Sequence, residues 1–302
     1  MSNPHNSRNT ARPVREEPLQ DVAYAYDGTP EGLLTAVFQA YANREDPQDI
    51  APGNTLQPRL GQTVRTIETD MQLAMRVRKG IQRTCGQTAF EAVLHAALSD
   101  DPNTGAIVYR FVRYAMSRRQ PHDCARCPKR HSCAGIPNCT AASARRSSVL
   151  DDLANPAVGA LLKLDRAVMN ERHRMLQFLR FEHLENGGWF ARCSPNASVV
   201  PLVMDWFAGR FNTQPFAVLD ERHALAGVYE GRGWRLVRTE GADLPAHAPD
   251  EELMQAAWKR FYDATAVEAR YNPELRRQFM PERFWKDLTE MRQGAPGEGL
   301  AR

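Results

Sequence analysis

Near residue 180 the spacing of apolar residues changes from helical to alternating, and that change limits the folds open to this chain. Up to residue 179 apolar side chains recur at helical spacing, most clearly in "NPAVGALLKLDRAVMNERHRMLQFL", with Asn155 as N-cap and Pro156 as first residue. The next segment, "FEHLENGGWFARC", has two strand-like runs around Asn186-Gly187, a pair typical of a tight hairpin turn. The pattern predicts an α+β fold: a helical first half, then an antiparallel sheet with covering helices.

Further segments extend this pattern on both sides of the change. Thr29 and Pro30 predict the start of a helix over "PEGLLTAVFQAY", after a short strand at "AYAY". The stretch "REDPQDIAPGNTLQP" is typical of a loop. Later, "FAVLDERHALAGVYEG" predicts a second hairpin and "GWRLVRT" one more strand, followed by an amphipathic helix at "DEELMQAAWKRFYDATAVEAR".

Length and composition allow one large domain or two modest ones. The chain has 302 residues, of which 42% are hydrophobic, ordinary values for a globular protein. We expect a disordered tail over 1–20, one α+β domain over 21–290 containing a cysteine-rich basic insertion at 121–148, and a second tail over 291–302. Neither a long apolar run nor a secretory signal is visible, so we expect a cytoplasmic protein.

Four cysteines lie within sixteen residues, in "CARCPKRHSCAGIPNC". The ligand candidates are Cys124, Cys127, Cys133 and Cys139, spaced C-x2-C-x5-C-x5-C. Closely spaced cysteines in a cytoplasmic protein favour metal binding over disulfides. The set predicts a small metal-binding insertion that holds an iron–sulfur cluster (4Fe-4S) or, alternatively, a structural zinc; free thiols stay possible because spacing does not select the metal. Four protein ligands leave no open position, which favours a structural or electron-handling role over catalysis.

The cysteines lie in the most basic part of the chain. Between Arg110 and Arg146 there are nine Lys and Arg residues against one acid, Asp123. Such a field attracts phosphates, although a solvated basic face is an equally good interpretation.

Two polar groups in the second half have residue types suited to chemistry. Glu171, His173 and Glu182 could meet at a helix-to-strand junction as catalytic acid and base groups, although solvent-facing ion pairs are the commoner outcome. Near the C-terminus, arginines alternate with aromatic residues and could bind phosphate while rings stack on bases. The alternative there is a helical hook with its rings in the core.

Several blocks, taken in order, carry a resemblance to a known family. They are "YAYDGTPEGLLTAVFQAY", "ERHRMLQFLRFEHLENGGWFARCSP", "WFAGRF" and "WKRFYDATAVEARYNPELRRQFMPERFWKDLTE". From about Tyr24 to Glu290 the chain resembles a bacterial family named for DNA metabolism and built on a domain of unknown function. The resemblance implies pairing with a radical-SAM protein of DNA modification or repair, and related domains are fused to modules similar to uracil-DNA glycosylase. The cysteine stretch is additional to that pattern.

These observations lead to one expected function and two alternatives. We expect an accessory protein of DNA repair or modification that binds DNA and works with the radical-SAM partner. The residues expected to contact nucleic acid are Arg180, Arg210, Arg222, Arg270, Arg283 and Trp285. The alternatives are an enzyme acting on a nucleobase or nucleotide, and a scaffold whose thiolates pass electrons to the partner.

Overall fold

The structure, a computed structural model, describes residues 21–117, 148–239 and 246–291. The α+β class is confirmed: helices accompany two sheets in this part of the chain. The four cysteines of the predicted metal-binding insertion lie outside the described residues. No described helix combines the length and the apolar content needed to cross a bilayer.

The first half contains a small parallel sheet as well as helices. Its strands are β1 (Val22–Tyr26), β2 (Asp49–Pro52) and β3 (Thr63–Thr66), and β1 lies in the middle, parallel to both neighbours. Every residue of β1 is buried, as expected for a central strand. The loop predicted around residue 50 was therefore wrong at β2. That strand is four residues long, lies at a sheet edge and ends in proline, so its composition is that of a loop.

Four helices accompany this sheet, as the helical spacing of apolar residues in the first half predicts. They are α1 (Pro30–Asn43), α2 (Met71–Cys85), α3 (Gln87–Ala97) and α4 (Thr104–Ser117). Thr29 caps α1 as expected, because its hydroxyl accepts a hydrogen bond from the Gly32 amide at 3.0 Å. Tyr24, Leu33 and Phe111 form the centre of the core between helices and sheet.

The second half contains a five-stranded sheet in the order β4-β5-β6-β7-β8. The strands are β4 (Glu182–His183), β5 (Trp189–Cys193), β6 (Phe216–Asp220), β7 (Leu225–Tyr229) and β8 (Trp234–Arg238). The helices are α5 (Pro156–Phe178), α6 (Val200–Phe211), α7 (Glu251–Thr265) and α8 (Pro273–Phe279). Short 3-10 helices cover Val149–Asp151, Glu268–Arg270, Glu282–Asp287 and Thr289–Met291.

Both predicted hairpins are confirmed, but the prediction of a wholly antiparallel sheet was wrong at one pairing. Strand β4 pairs antiparallel with β5 around Asn186-Gly187, and β6 pairs antiparallel with β7. Strands β5 and β6 are parallel. Helix α6 lies between these two strands in the sequence. It returns the chain to the end of the sheet at which β5 begins, so β6 runs in the same direction as β5.

Helix α5 belongs to both hydrophobic cores. Leu161 and Leu164 pack in the core of the first half, whereas Val168 and Met175 pack in the core of the second half. Residues 14 apart along a helix lie about 21 Å apart, so one helix is long enough to reach both cores.

Candidate functional site

The parallel pairing of β5 and β6 brings their carboxyl ends to one edge of the sheet. Cys193 and Asp220, the last residues of these strands, are register partners, and Ser194 and Glu221 follow them directly. Side chains from α5, from the loop after α3 and from the C-terminal segment meet at the same place. We call this group of polar residues the β5/β6 edge: Asp100, Glu171, Ser194, Asn196, Asp220, Glu221, Arg222, His223, Arg283 and Lys286.

A buried carboxylate lies at the centre of the β5/β6 edge. Glu171 of α5 is 3% exposed and receives two hydrogen bonds from Arg283, at 2.7 and 2.6 Å. The Asn196 amide donates a third at 2.8 Å, and Arg174 lies 3.3 Å away. Burial raises the pKa of Glu171, but the hydrogen bonds from Arg283 and Asn196 and the charge of Arg283 outweigh it, and the net pKa lies below its usual range. Glu171 is therefore an ionised acceptor that is already occupied, not an available general base.

A histidine held between two carboxylates forms the second part of the edge. His223 Nδ1 lies 2.6 Å from Asp220 Oδ2, and its Nε2 lies 2.7 Å from Asp100 Oδ1. A ring that donates to carboxylates through both nitrogens must be protonated. Burial lowers the pKa of His223, but the hydrogen bonds to Asp100 and Asp220 and their charges outweigh it and raise the pKa to about 9.

Asn196 joins these two parts into one network. Its amide donates to Glu171, while its side-chain oxygen accepts from Arg222 Nη1 at 3.1 Å. The Arg222 Nε in turn lies 2.9 Å from Asp100 Oδ2. The network therefore runs without interruption from Arg283 to the His223 ring.

An open cleft borders the edge, with a volume of about 380 Å³. On its rim, Lys286 Nζ donates to Ser194 Oγ at 3.2 Å and to Glu221 Oε2 at 3.0 Å. The hydrogen bond to Glu221 raises the pKa of Lys286, so this side chain is an ammonium group and cannot act as a base toward Ser194. Glu182, buried on β4, lies 3.1 Å from His247 Nε2 in the same cleft.

The three residues predicted as catalytic are not brought together. Glu171 is bound in the network, whereas Glu182 faces the cleft. His173 is exposed, with its Nε2 3.0 Å from the Gln177 amide nitrogen. Two residues apart on a helix correspond to about 200° of rotation, so His173 lies on the opposite side of α5 from Glu171.

The arginines predicted to contact nucleic acid fall into two groups. Arg180 and Arg283 pair with the buried carboxylates of Glu290 and Glu171, each with a contact of 2.6 Å. The others have exposed guanidinium groups: Arg222 is half exposed in the network, Arg210 lies over the Trp206 ring at 5.7 Å, and Arg270 is exposed. Trp285 is half-buried, donates to the Met280 carbonyl at 3.0 Å and lies under Arg276. Contact of these residues with nucleic acid stays a prediction.

No group of three or more His, Cys, Asp and Glu side chains that could hold a metal occurs within residues 21–117, 148–239 and 246–291. The predicted ligands Cys124, Cys127, Cys133 and Cys139 lie outside these ranges, so their proposed metal is neither supported nor opposed by the geometry.

Several members of the edge were missed by the sequence analysis. Asp100 comes from the loop after α3, 120 residues before Asp220, and no local pattern connects the two. Asn196 acts partly through its backbone amide, which any residue other than proline would supply. The Asp220-x-x-His223 spacing lies within the segment whose sequence predicts the second hairpin, so the local pattern indicates a turn and not a site.

The fold and the edge define an α+β protein with a buried, charge-paired network at the carboxyl ends of two parallel strands. A family model described as a domain of unknown function, DUF4130, matches residues 136–290, which is 155 of the 302 residues. The chain belongs to this family. The matched range holds the whole five-stranded sheet and every member of the edge except Asp100. No curated protein matches the chain.

The first prediction compares two arginine–carboxylate pairs in the C-terminal segment. Arg283→Ala should lower the free energy of unfolding by about 3–5 kcal/mol, because it leaves the buried carboxylate of Glu171 without its main partner. Arg277→Ala, whose pair with Glu282 is about 60% exposed on both sides, should lower it by less than about 1 kcal/mol. Urea unfolding of the two variants measures the difference, and equal losses would contradict the structural role of Glu171.

The second prediction concerns pH. His223 has a folded-state pKa of about 9 against an ordinary 6.5, so protonation favours the folded state. Its contribution should be complete below pH 6.5 and should disappear as the pH rises through 9. The free energy of unfolding of the wild type, minus that of His223→Gln, should therefore fall by about 2–3 kcal/mol over this range, at ~1.4 kcal/mol per pKa unit. Parallel curves for the two proteins would show that folding binds no additional proton at His223.

Proposed function

We propose that this protein is an accessory protein of DNA repair or modification that binds nucleic acid and works with a radical-SAM partner. The family resemblance of the sequence blocks supports the biological setting. The single structural observation that carries the binding proposal is a set of exposed aromatic rings between residues 258 and 279.

These rings are large and open to solvent. Phe279 is 69% exposed, Phe261 58%, Tyr271 54% and Trp258 39%. We call Trp258, Phe261, Tyr271 and Phe279 the C-terminal rings. Trp258 and Phe261 are neighbours, with ring centroids 5.7 Å apart, and contiguous exposed apolar groups are typical of an interaction surface.

Cations lie among these rings, which favours nucleic acid as the ligand. Arg270 directly precedes Tyr271 and is exposed, and the Arg276 guanidinium lies 5.8 Å over the Tyr271 ring. Proteins that bind single strands without sequence preference usually stack aromatic side chains on the unpaired bases. Cationic side chains beside these rings contact the phosphates of the strand. The proposal is therefore for single-stranded nucleic acid at the C-terminal rings.

The partner and the cofactor are further parts of the proposal. Leu253 and Met254 of α7 are 71% and 56% exposed and would give a protein partner an apolar contact next to the rings. Co-elution of the two purified proteins tests the pairing with the radical-SAM partner.

The four-cysteine motif would hold an iron–sulfur cluster or zinc, as its spacing allows.

The alternative functions have less support. An enzyme using Glu171, His173 and Glu182 would need these groups to converge, whereas Glu171 is occupied and His173 faces away from it. The cleft with Glu182 and His247 is the place where such an activity would have to lie. An electron-passing scaffold depends entirely on the cofactor.

Removing a ring tests the binding proposal. Phe279→Ala should weaken binding of an oligo-dT single strand by about 1–3 kcal/mol, the usual loss for one stacked base. Leu275→Ala, which removes a half-exposed aliphatic side chain from the same helix, is the matched control and should change the affinity little. Fluorescence anisotropy with and without the partner measures both variants. Equal effects would indicate a general apolar contact, and a wild type that binds no DNA in either condition would remove the proposal.

The cofactor has its own test. Protein purified without oxygen should contain iron and sulfide and show broad visible absorption if a cluster is bound, and both should be lost in a Cys124→Ser, Cys127→Ser variant. Zinc without visible absorption would establish the alternative. Metal-free protein with four reactive thiols would exclude both.

A further inference from the structure

Helix α2 carries a row of cations and no acid. Its sequence, "MQLAMRVRKGIQRTC", contains four Lys and Arg residues. Arg76, Lys79 and Arg83 follow each other at spacings of three and four, so they lie along one side of the helix, and all three are exposed. We call them the α2 basic stripe. It lies outside the matched family range and is not part of the C-terminal rings.

The charges of the α2 basic stripe are not neutralised by the described residues. No ion pair joins any of its three side chains to an acid in that part of the chain. By contrast, Arg59 and Arg65 of the first half each pair with a carboxylate. Unpaired, exposed cations in a row attract a linear polyanion, and a contact with it costs no existing ion pair.

The packing of α2 fixes the direction in which the stripe points. Ala74 and Ile81 are buried in the first core, with Val77 packed against it, so the apolar side of the helix is already used. The Arg76 guanidinium lies 4.8 Å over the Phe38 ring of α1, which holds its side chain near the surface of the protein. An amphipathic helix that binds a membrane must insert a continuous apolar side. Helix α2 exposes two large apolar side chains, Met71 and Met75, and the rest of its apolar side is packed against the first core.

The side-chain types of α2 favour a duplex over a single strand, and the length of the stripe fits a short run of phosphates. Seven residues separate Arg76 from Arg83, which corresponds to about 10 Å along the helix axis. Successive phosphates of one duplex strand rise by about 3.4 Å along its axis and also wind around it, so a straight row of this length reaches about two of them. Helix α2 contains no aromatic residue, so it offers phosphate contacts without base stacking.

We propose that the α2 basic stripe binds the phosphate backbone of duplex DNA without sequence preference. This inference rests on the proposed nucleic-acid function and adds a second surface to it. The C-terminal rings would take unpaired bases, and the stripe would take a paired segment.

The test compares two double variants of the full-length protein with equal charge. Lys79→Gln with Arg83→Gln removes two cations from the stripe, and Lys163→Gln with Arg166→Gln removes two exposed cations from α5. Binding of a 20-base-pair duplex and of an oligo-dT strand is measured from about 50 to 200 mM salt, the range over which phosphate contacts lose most affinity. Circular dichroism and urea unfolding confirm that both variants are folded.

We expect the α2 variant to bind the duplex at least about tenfold more weakly at 0.1 M salt, with a salt slope reduced by about 2, since each phosphate contact contributes about 0.9. The α5 variant should bind the duplex like the wild type. Equal losses in both variants would show an effect of net charge alone and overturn the inference. Unchanged duplex binding by the α2 variant would overturn it too.

The oligo-dT arm separates this inference from the proposed function. If single-strand binding depends on the C-terminal rings while the α2 variant binds the duplex normally, the function stands and the inference fails. If the wild type binds neither DNA, both fail.

Discussion

The buried pair between Glu171 and Arg283 is the interaction on which the second half of the structure depends. A carboxylate that is 3% exposed is costly without a partner, and this one has a bidentate guanidinium and a backbone amide. The three groups come from α5, from the loop after β5 and from the C-terminal segment. Since the carboxylate cannot be left alone in the interior, the C-terminal segment must fold back onto α5.

A second pair repeats this arrangement with the charges exchanged. Arg180, just after α5, binds Glu290 of the C-terminal segment, which is also 3% exposed and accepts from the Trp258 ring nitrogen at 3.0 Å. The chain in and just after α5 thus supplies the carboxylate of one pair, from Glu171, and the guanidinium of the other, from Arg180. Arg180 and Arg283 are of a residue type suited to phosphate binding, but here they stabilise the fold through ion pairs with buried carboxylates. Arg270 and the cations on α2 have no such partner among the described residues and are better suited to an external anion.

Local signals in the sequence predicted the elements well and their arrangement less well. Thr29, Asn155 and Asn186-Gly187 act on their own neighbours, so the two helix starts and the hairpin could be predicted from a few residues. The parallel pairing of β5 with β6 depends on how α6 packs, and β2 has too few apolar residues to show an alternating pattern. The network at the β5/β6 edge was only partly predictable, because Glu171, Asp100 and Arg283 are distant in sequence and only the tertiary fold brings them together.

The position of Asp100 bears on how the two halves are connected. The matched family range begins at residue 136, yet Asp100 supplies one of the two carboxylates that hold His223 and also binds Arg222. The backbone adds to this contact, since the Ser198 amide donates to the Leu98 carbonyl at 2.9 Å. Helix α5 also packs in both cores. The first half is therefore attached to the matched domain by this helix, by the backbone bridge between Ser99 and Ala197, and by the contacts of Asp100 with Arg222 and His223. Attachment of this kind limits independent motion, so a ligand on α2 and a ligand on the C-terminal rings would be held by one body, not by two flexibly linked modules.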